Sequence, residues 1–130
     1  MRIYIGGAHN GKRDYVRTML VDKECVWFEG ECPPQNLPTT QPIVIAGLEK
    51  WLAETELPEA EAVESIMKAI EVRDVIVILT DIGRGIVPID AQQRQLRDAC
   101  GRLYQRLMAE ADEVTRIWYG LAQILKKRGD

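Results

Sequence analysis

The sequence predicts a three-layer α/β domain with a mostly parallel central sheet. Short apolar runs rich in β-branched residues alternate along the chain with stretches of helical periodicity. The apolar runs are continuous rather than interrupted by polar residues, as in the strands of a sheet that is covered on both faces. Because strand and helix alternate throughout, crossover helices are expected to join successive strands and to leave them parallel.

The apolar runs predict the strands, and the amphipathic stretches predict the helices. The predicted strands are Arg2–Ile5, Cys25–Phe28, Ile43–Ala46, Val75–Leu79, Val114–Tyr119 and, as a weaker sixth candidate, Gln123–Leu125. The predicted helices are Gly11–Val21, Glu59–Glu71 and Asp90–Ala111. Pro58 suits the first turn of the second helix, and Asp90 suits the N-cap of the third.

Two other segments have a distinctive composition. Glu31–Pro42 contains four prolines, which preclude a regular helix and predict a loop or an extended arm. A run of glutamates after the third strand is typical of a solvated helix face, with a cation site as the less favoured alternative. These glutamates are Glu49, Glu54, Glu56, Glu59, Glu61 and Glu64.

Composition and charge limit the classes of partner. The 130 residues, 46% of them hydrophobic, fit a single domain that spans residues 1–130 and needs no disulfides. The net charge of −3 argues against general binding to nucleic acid or to an anionic membrane, since both need a basic surface. No apolar run approaches the roughly 20 residues that span a bilayer, so we expect a cytoplasmic protein. Three cysteines without a C-x-x-C spacing and a single histidine predict no metal centre.

A glycine-rich segment follows the first strand and ends in a lysine. It reads Gly6-Gly7-Ala8-His9-Asn10-Gly11-Lys12. In a G-x-x-x-x-G-K-[ST] loop, backbone N–H groups converge on phosphate oxygens and the lysine neutralises them. We therefore predict that this segment, called the glycine loop below, binds an anion within a P-loop-type domain. An ordinary strand-to-helix turn is the alternative.

Arg13 follows the glycine loop where a phosphate-binding loop normally has serine or threonine. The hydroxyl of that residue usually holds Mg²⁺, whereas a guanidinium has only donors and a positive charge. Arg13 can therefore contact a phosphate but cannot ligate a cation, which makes a bound Mg²⁺ doubtful.

A second motif begins in the buried strand that precedes Asp81. The strand ends in Thr80-Asp81, and a Gly-x-Gly turn closed by Pro88 follows. A carboxylate at the carboxyl end of a parallel strand lies where open α/β sheets bind ligands. Asp81 is therefore a candidate site residue, although ordinary turn chemistry explains Gly83 and Gly85 equally well.

Together with the helix that follows, this motif resembles a known family. The segments that carry the likeness are Thr80–Pro88, Arg94, Leu96–Asp98, Gly101–Arg102, Gln105–Ala109 and Ala111–Val114. They are similar to the N-E-V-G-x-G-I-V-P turn, the R-x-x-R-D-x-x-G-x-x-N-Q-x-L-A helix and the A-D-E-V strand of the bifunctional adenosylcobinamide kinase and adenosylcobinamide-phosphate guanylyltransferase family. The glycine loop also matches that family's G-G-A-R-S-G-K-S loop.

The departures from the family pattern concern the groups that perform the chemistry. The family serine that would ligate Mg²⁺ aligns with Arg13, and the acidic residue at the end of the middle strand aligns with Ala46. Tyr104 replaces the family asparagine. The family's guanylylated histidine falls in a segment that is here shortened to the proline-rich stretch, which contains no histidine. The resemblance thus implies a retained fold with weakened or lost catalysis.

Three hypotheses follow from the sequence. The first is a nucleotide- or phosphate-binding protein that holds GTP or ATP through residues 6–13 and has a degenerate site. The alternative is an active, reduced kinase that phosphorylates adenosylcobinamide, with Lys12 and Asp81 as its catalytic residues and without the guanylyltransferase activity. A purely structural subunit is the third. The resemblance also implies a corrinoid as a candidate ligand and a homo-oligomer, a trimer in the family.

Overall fold

The computed structural model describes residues 1–7, 11–37, 40–71, 73–81 and 90–128. Its strands are β1 (Arg2–Gly6), β2 (Val26–Glu29), β3 (Ile43–Ala46), β4 (Val75–Thr80), β5 (Glu113–Trp118) and β6 (Leu121–Lys127). Its helices are α1 (Lys12–Met19), α2 (Leu48–Glu54), α3 (Glu59–Glu71) and α4 (Ala91–Glu110). The six predicted strands and the three predicted helices are confirmed, with shifts of a few residues at their ends.

The strands form one sheet in the order β2-β3-β4-β1-β5-β6. β1 pairs in parallel with β4 and with β5, and β3 pairs in parallel with β2 and β4. Only β6 runs antiparallel, paired with β5 through a tight hairpin. The predicted mostly parallel sheet is therefore confirmed, and β1 lies near its centre between β4 and β5.

Helices cover both faces of the sheet and complete the three layers. On one face, α2, α3 and α4 pack on the larger core cluster, which includes Leu48, Ile66 and Leu103. On the other face, α1 packs Val16 against a smaller cluster that includes Tyr4 and Ile117. Burial of this apolar surface is the main favourable term that holds the layers together.

Helix α2 was not among the predicted elements. It is only seven residues long, which is too short for a clear amphipathic period, and it lies within the acidic stretch. Gly47 is the N-cap residue of this helix, and its backbone, with φ of 72°, adopts the left-handed conformation. Leu48 is fully buried beneath it, so tertiary packing stabilises a segment whose local sequence pattern is weak.

No helix among the described residues is both long enough and apolar enough to cross a membrane.

Candidate functional site

The glycine loop leaves the sheet at the carboxyl end of β1, beside the carboxyl ends of β4 and β5. Gly6, the last residue of β1, pairs with Thr80 at the end of β4. The backbone N–H of Asp81 then donates to the Gly6 carbonyl at 2.8 Å. Gly6 has to be a glycine, because a Cβ atom there would collide with the carbonyl oxygen of Ile117 on β5. The topology thus brings the start of the loop and Asp81 together.

The described part of the chain contains most of the predicted site residues. Gly6, Gly7, Gly11, Lys12, Arg13 and Asp81 belong to it. The predicted site residues Ala8, His9 and Asn10 lie outside the described residues, as does the glycine turn within 82–89.

Lys12 is the first residue of α1, and its side chain is buried. Only 3% of its surface is exposed, and its Nζ donates to the Gly7 carbonyl at 2.8 Å. Burial lowers the pKa of Lys12 and the charge of Arg13 lowers it further, whereas Glu49 and Glu29 act in the opposite direction. A lysine at the start of α1 that also contacts Gly7 is placed to neutralise an anion bound at that end of the helix.

Gly11 leaves the N-terminus of α1 without a side-chain cap. It adopts φ of 78° as the N-cap and has no side chain that could cap the helix. The first N–H groups of a helix point toward its N-terminus, and the helix dipole favours negative charge at that end. The arrangement is the one expected for an anion site, although α1 alone does not establish one.

Arg13 forms a two-pronged ion pair with Glu29, the last residue of β2. Its Nε and its second guanidinium nitrogen lie 2.6 and 3.0 Å from the two carboxylate oxygens. The hydrogen bonds to Arg13 lower the pKa of Glu29, and those to Glu29 raise the pKa of Arg13. The sequence predicted that Arg13 can contact a phosphate, and the structure shows in addition that a carboxylate compensates its charge.

Glu49 is the main residue of the site that sequence reasoning missed. It lies in the first turn of α2, and its Oε2 atom is buried without a hydrogen-bond partner in the described part of the chain. The expectation that Glu49 belongs to a solvated acidic face is therefore wrong for this residue. The other glutamates of that stretch are exposed as predicted.

The carboxylate of Glu49 influences two further side chains, both on α4. It raises the pKa of Cys100 and of Tyr104, in each case as a second cause after burial, and the pKa of Cys100 rises to about 12. The Tyr104 hydroxyl donates to the Thr80 carbonyl at 2.9 Å. Tyr104, which replaces the family asparagine, thus ties α4 to the end of β4 beside Asp81.

A cavity of about 440 Å³ opens beside the glycine loop, within the size range of ligand pockets. Gly6, Gly7, Asp81, Arg116 and Trp118 contribute to its lining. The Arg116 guanidinium lies 5.8 Å from the centre of the Trp118 ring. A larger cavity of about 810 Å³ lies between α2, α3 and the start of α4, away from the loop. Two further cavities, of about 560 and about 420 Å³, border the loop at Gly11, and the second also includes Lys12 and Arg13. The cavity of about 440 Å³ is the one that joins the start of the loop to Asp81.

Within the described ranges, no group of three or more His, Cys, Asp or Glu residues is placed to hold a metal ion.

Fold and site define a layered α/β protein with a glycine-rich loop, a buried lysine and a carboxylate at one edge of its sheet. Comparison with known proteins gives the family. The chain belongs to the cobinamide kinase / cobinamide phosphate guanyltransferase family, whose model matches residues 14–125. The predicted resemblance is therefore confirmed. The match begins after the glycine loop, so the assignment of residues 6–13 depends on their own sequence and geometry.

One curated relative gives a more specific likeness. The bifunctional adenosylcobalamin biosynthesis protein CobU of Salmonella typhimurium is 40% identical over 52 residues. That stretch is 40% of this chain and 29% of the relative, so the chain matches less than a third of that protein's length. The name of that relative concerns adenosylcobalamin biosynthesis, and the name of the family concerns a kinase and a guanyltransferase that act on cobinamide compounds.

Proposed function

We propose that this chain binds a nucleotide or another phosphorylated ligand through the glycine loop and has weakened or lost the family's catalysis. The single observation that supports this most is the ion pair between Arg13 and Glu29. Arg13 replaces the family's Mg²⁺-binding serine, and Glu29 holds it in place with two hydrogen bonds. Phosphoryl transfer depends on cations that stabilise charge on the transferring group, and an immobilised guanidinium is a poorer substitute for Mg²⁺.

The proposed ligand is GTP or ATP, with its phosphates on the glycine loop. Lys12 would neutralise the phosphates, and the N–H groups at the start of α1 would donate to their oxygens. The cavity beside Gly6, Gly7 and Asp81 would take the next part of the ligand. By family membership, a corrinoid is the proposed second ligand.

The alternative function is an active, reduced kinase for adenosylcobinamide. Two observations favour it: Lys12 is retained at the loop, and Asp81 is hydrogen-bonded to Gly6 at the same edge. Glu49 adds a carboxylate that the alignment at Ala46 had suggested was missing. The guanylyltransferase reaction has no such support, because the only histidine of the chain is His9 in the glycine loop.

A homo-oligomer is also part of the proposal. β6 forms the open edge of the sheet, and all but one of its residues are exposed. The exposed apolar side chains of this hairpin are Trp118, Tyr119, Leu121, Ile124 and Leu125. Such an apolar edge is unusual for an isolated monomer and suits contact with another copy of the chain.

Calorimetric titration with GTP, ATP and inorganic tripolyphosphate tests the proposed function. Lys12→Ala should weaken binding of all three about tenfold or more, equivalent to about 1.4 kcal/mol, because a buried phosphate-neutralising charge is lost. The exposed Lys23 gives a matched control, and Lys23→Ala should leave affinity unchanged. Equal affinity of Lys12→Ala and the parent would remove the proposed site. Turnover of adenosylcobinamide with either nucleotide would instead support the kinase alternative.

A further inference from the structure

We propose that the side chains of Arg116 and Trp118, at the end of β5, form a subsite for the planar base of a nucleotide. This inference rests on the proposed function and deepens it, since it concerns the part of the ligand beyond the phosphates. The two side chains, called the base subsite below, belong neither to the glycine loop nor to the segments that carry the family resemblance.

Strand β5 extends past the end of β1, where the glycine loop starts. In the parallel register of these two strands, Arg116 lies opposite Ile5. β1 ends at Gly6, whereas β5 continues to Trp118. The carbonyl oxygen of Ile117 lies so close to Gly6 that a Cβ atom there would collide with it. The end of β5 is therefore a direct neighbour of the first residue of the loop.

The strand pairing places Arg116 and Trp118 on one face of the sheet. Side chains alternate along a strand, so these two share a face, and Ile117 between them lies on the other. Ile117 is fully buried in the cluster that α1 covers, which leaves Arg116 and Trp118 on the face that α4 covers. There they line the cavity of about 440 Å³ together with Gly6 and Gly7. The base subsite and the start of the loop thus open into the same space.

A tight turn after β5 holds Trp118 near the start of α1. Trp118 pairs with Leu121 across the hairpin, so only Tyr119 and Gly120 form the turn. Both adopt positive φ, of 50° and 76°, as in the type I′ turns of two-residue hairpins. The Gly120 nitrogen lies 3.9 Å from the position of a Cβ atom on Gly11, the N-cap of α1. The hairpin turn therefore lies against the helix end that is proposed to bind the phosphates.

The exposure and the charge of the base subsite suit a planar, electron-rich ligand. Trp118 is 56% exposed, and the Arg116 guanidinium lies 5.8 Å from the centre of its ring. Among the described residues, no carboxylate forms an ion pair with Arg116. Nucleobases stack on exposed aromatic rings and on guanidinium groups. An indole and a cation beside a phosphate site therefore favour a nucleotide over a phosphate without a base.

Tryptophan fluorescence tests the base subsite directly, because the chain has three tryptophans that can be replaced singly. GTP, ATP and the nucleosides guanosine and adenosine should quench the emission of the parent, since a base would stack on an indole. Trp118→Phe should abolish this quenching, whereas Trp27→Phe should retain it. Trp27 is the matched control, because it lies on the opposite edge strand and also has an arginine, Arg17, 5.0 Å from its ring centre.

Calorimetric titration then compares the nucleotides with inorganic tripolyphosphate, which has no base. Trp118→Ala should weaken binding of GTP and ATP about tenfold and leave the affinity for tripolyphosphate unchanged. Trp118→Phe should retain most of the parent affinity for GTP, because a smaller aromatic ring still stacks on a base. Light scattering on the same samples gives the mass of each variant.

The outcomes separate this inference from the proposed function. Equal quenching of Trp118→Phe and the parent, or an equal loss of GTP and tripolyphosphate affinity in Trp118→Ala, would overturn the base subsite. A lower mass of Trp118→Ala with unchanged GTP affinity would also overturn it and assign the indole to the contact between copies. A parent that binds no tripolyphosphate would refute the anion site, whereas quenching of Trp118 by guanosine would still support the base subsite.

Discussion

At the scale of single residues, Arg13 shows how one substitution changes the chemistry of the loop. Its guanidinium is fixed by Glu29 across a sequence separation of 16 residues. The pair balances the charge of the guanidinium and occupies a carboxylate that could otherwise attract a cation. We therefore expect ligand binding by the parent to depend little on Mg²⁺.

Arg13→Ser should make triphosphate binding more dependent on Mg²⁺ than it is in the parent. The change restores a hydroxyl that can ligate the ion, removes a competing charge and releases the Glu29 carboxylate. GTP affinity measured with Mg²⁺ and with a chelator in both proteins checks this. A parent affinity that rises tenfold with Mg²⁺, about 1.4 kcal/mol, would contradict the prediction. Arg17→Ser is the matched control, because Arg17 lies on the same helix but stacks over Trp27 at 5.0 Å.

At the scale of elements, the short helix α2 depends on the backbone of Gly47. With φ of 72° this glycine allows the chain to turn from β3 into the helix that carries Glu49. An added Cβ would lie 2.5 Å from Glu29 Oε2 and 2.8 Å from the Gly30 nitrogen. The Gly47 backbone therefore lies close to Glu29, the partner of Arg13, so the Arg13 pair is near the start of this helix.

Gly47→Ala and Gly101→Ala should have opposite effects on the free energy of unfolding. Gly47→Ala should destabilise the fold by about 1–3 kcal/mol, since it adds backbone strain and a contact that the Gly30 backbone cannot easily relieve. Gly101 lies inside α4 with nothing within 4 Å of an added Cβ. Alanine there should stabilise the protein by up to about 1 kcal/mol through helix propensity. Chemical denaturation measures both values, and a Gly47→Ala variant as stable as the parent would show that this turn is not constrained.

At the scale of the whole molecule, the inner strands and the edge strand β6 differ in burial. The inner strands β3 and β4 are almost wholly buried, whereas β6, one of the two edge strands, exposes apolar side chains. Lys126 and Arg128 tie the end of this hairpin to carbonyl oxygens of α4. The edge is thus attached to the domain while most of its apolar surface stays uncovered.

A double variant, Leu121→Lys with Ile124→Lys, should dissociate the proposed oligomer without unfolding the domain. Both side chains are more than half exposed, so lysine there costs little in the folded chain but opposes burial against another copy. Size-exclusion chromatography with light scattering measures the mass. Val21→Lys, at another exposed apolar position, should leave the parent mass unchanged. A parent that is already a monomer would rule out this part of the proposal.

The sequence by itself determined the alternation of strands and helices, the mostly parallel sheet, the glycine loop and the family. These features follow from local periodicity and contiguous motifs, which are properties of neighbouring residues. Only the tertiary structure decided that Arg13 is paired with Glu29, that α2 exists as a separate helix and that the Glu49 Oε2 atom is buried without a hydrogen-bond partner among the described residues. Each of these depends on segments that the sheet order brings together from distant parts of the chain. Burial then determines which charges remain uncompensated, and no local sequence pattern records that.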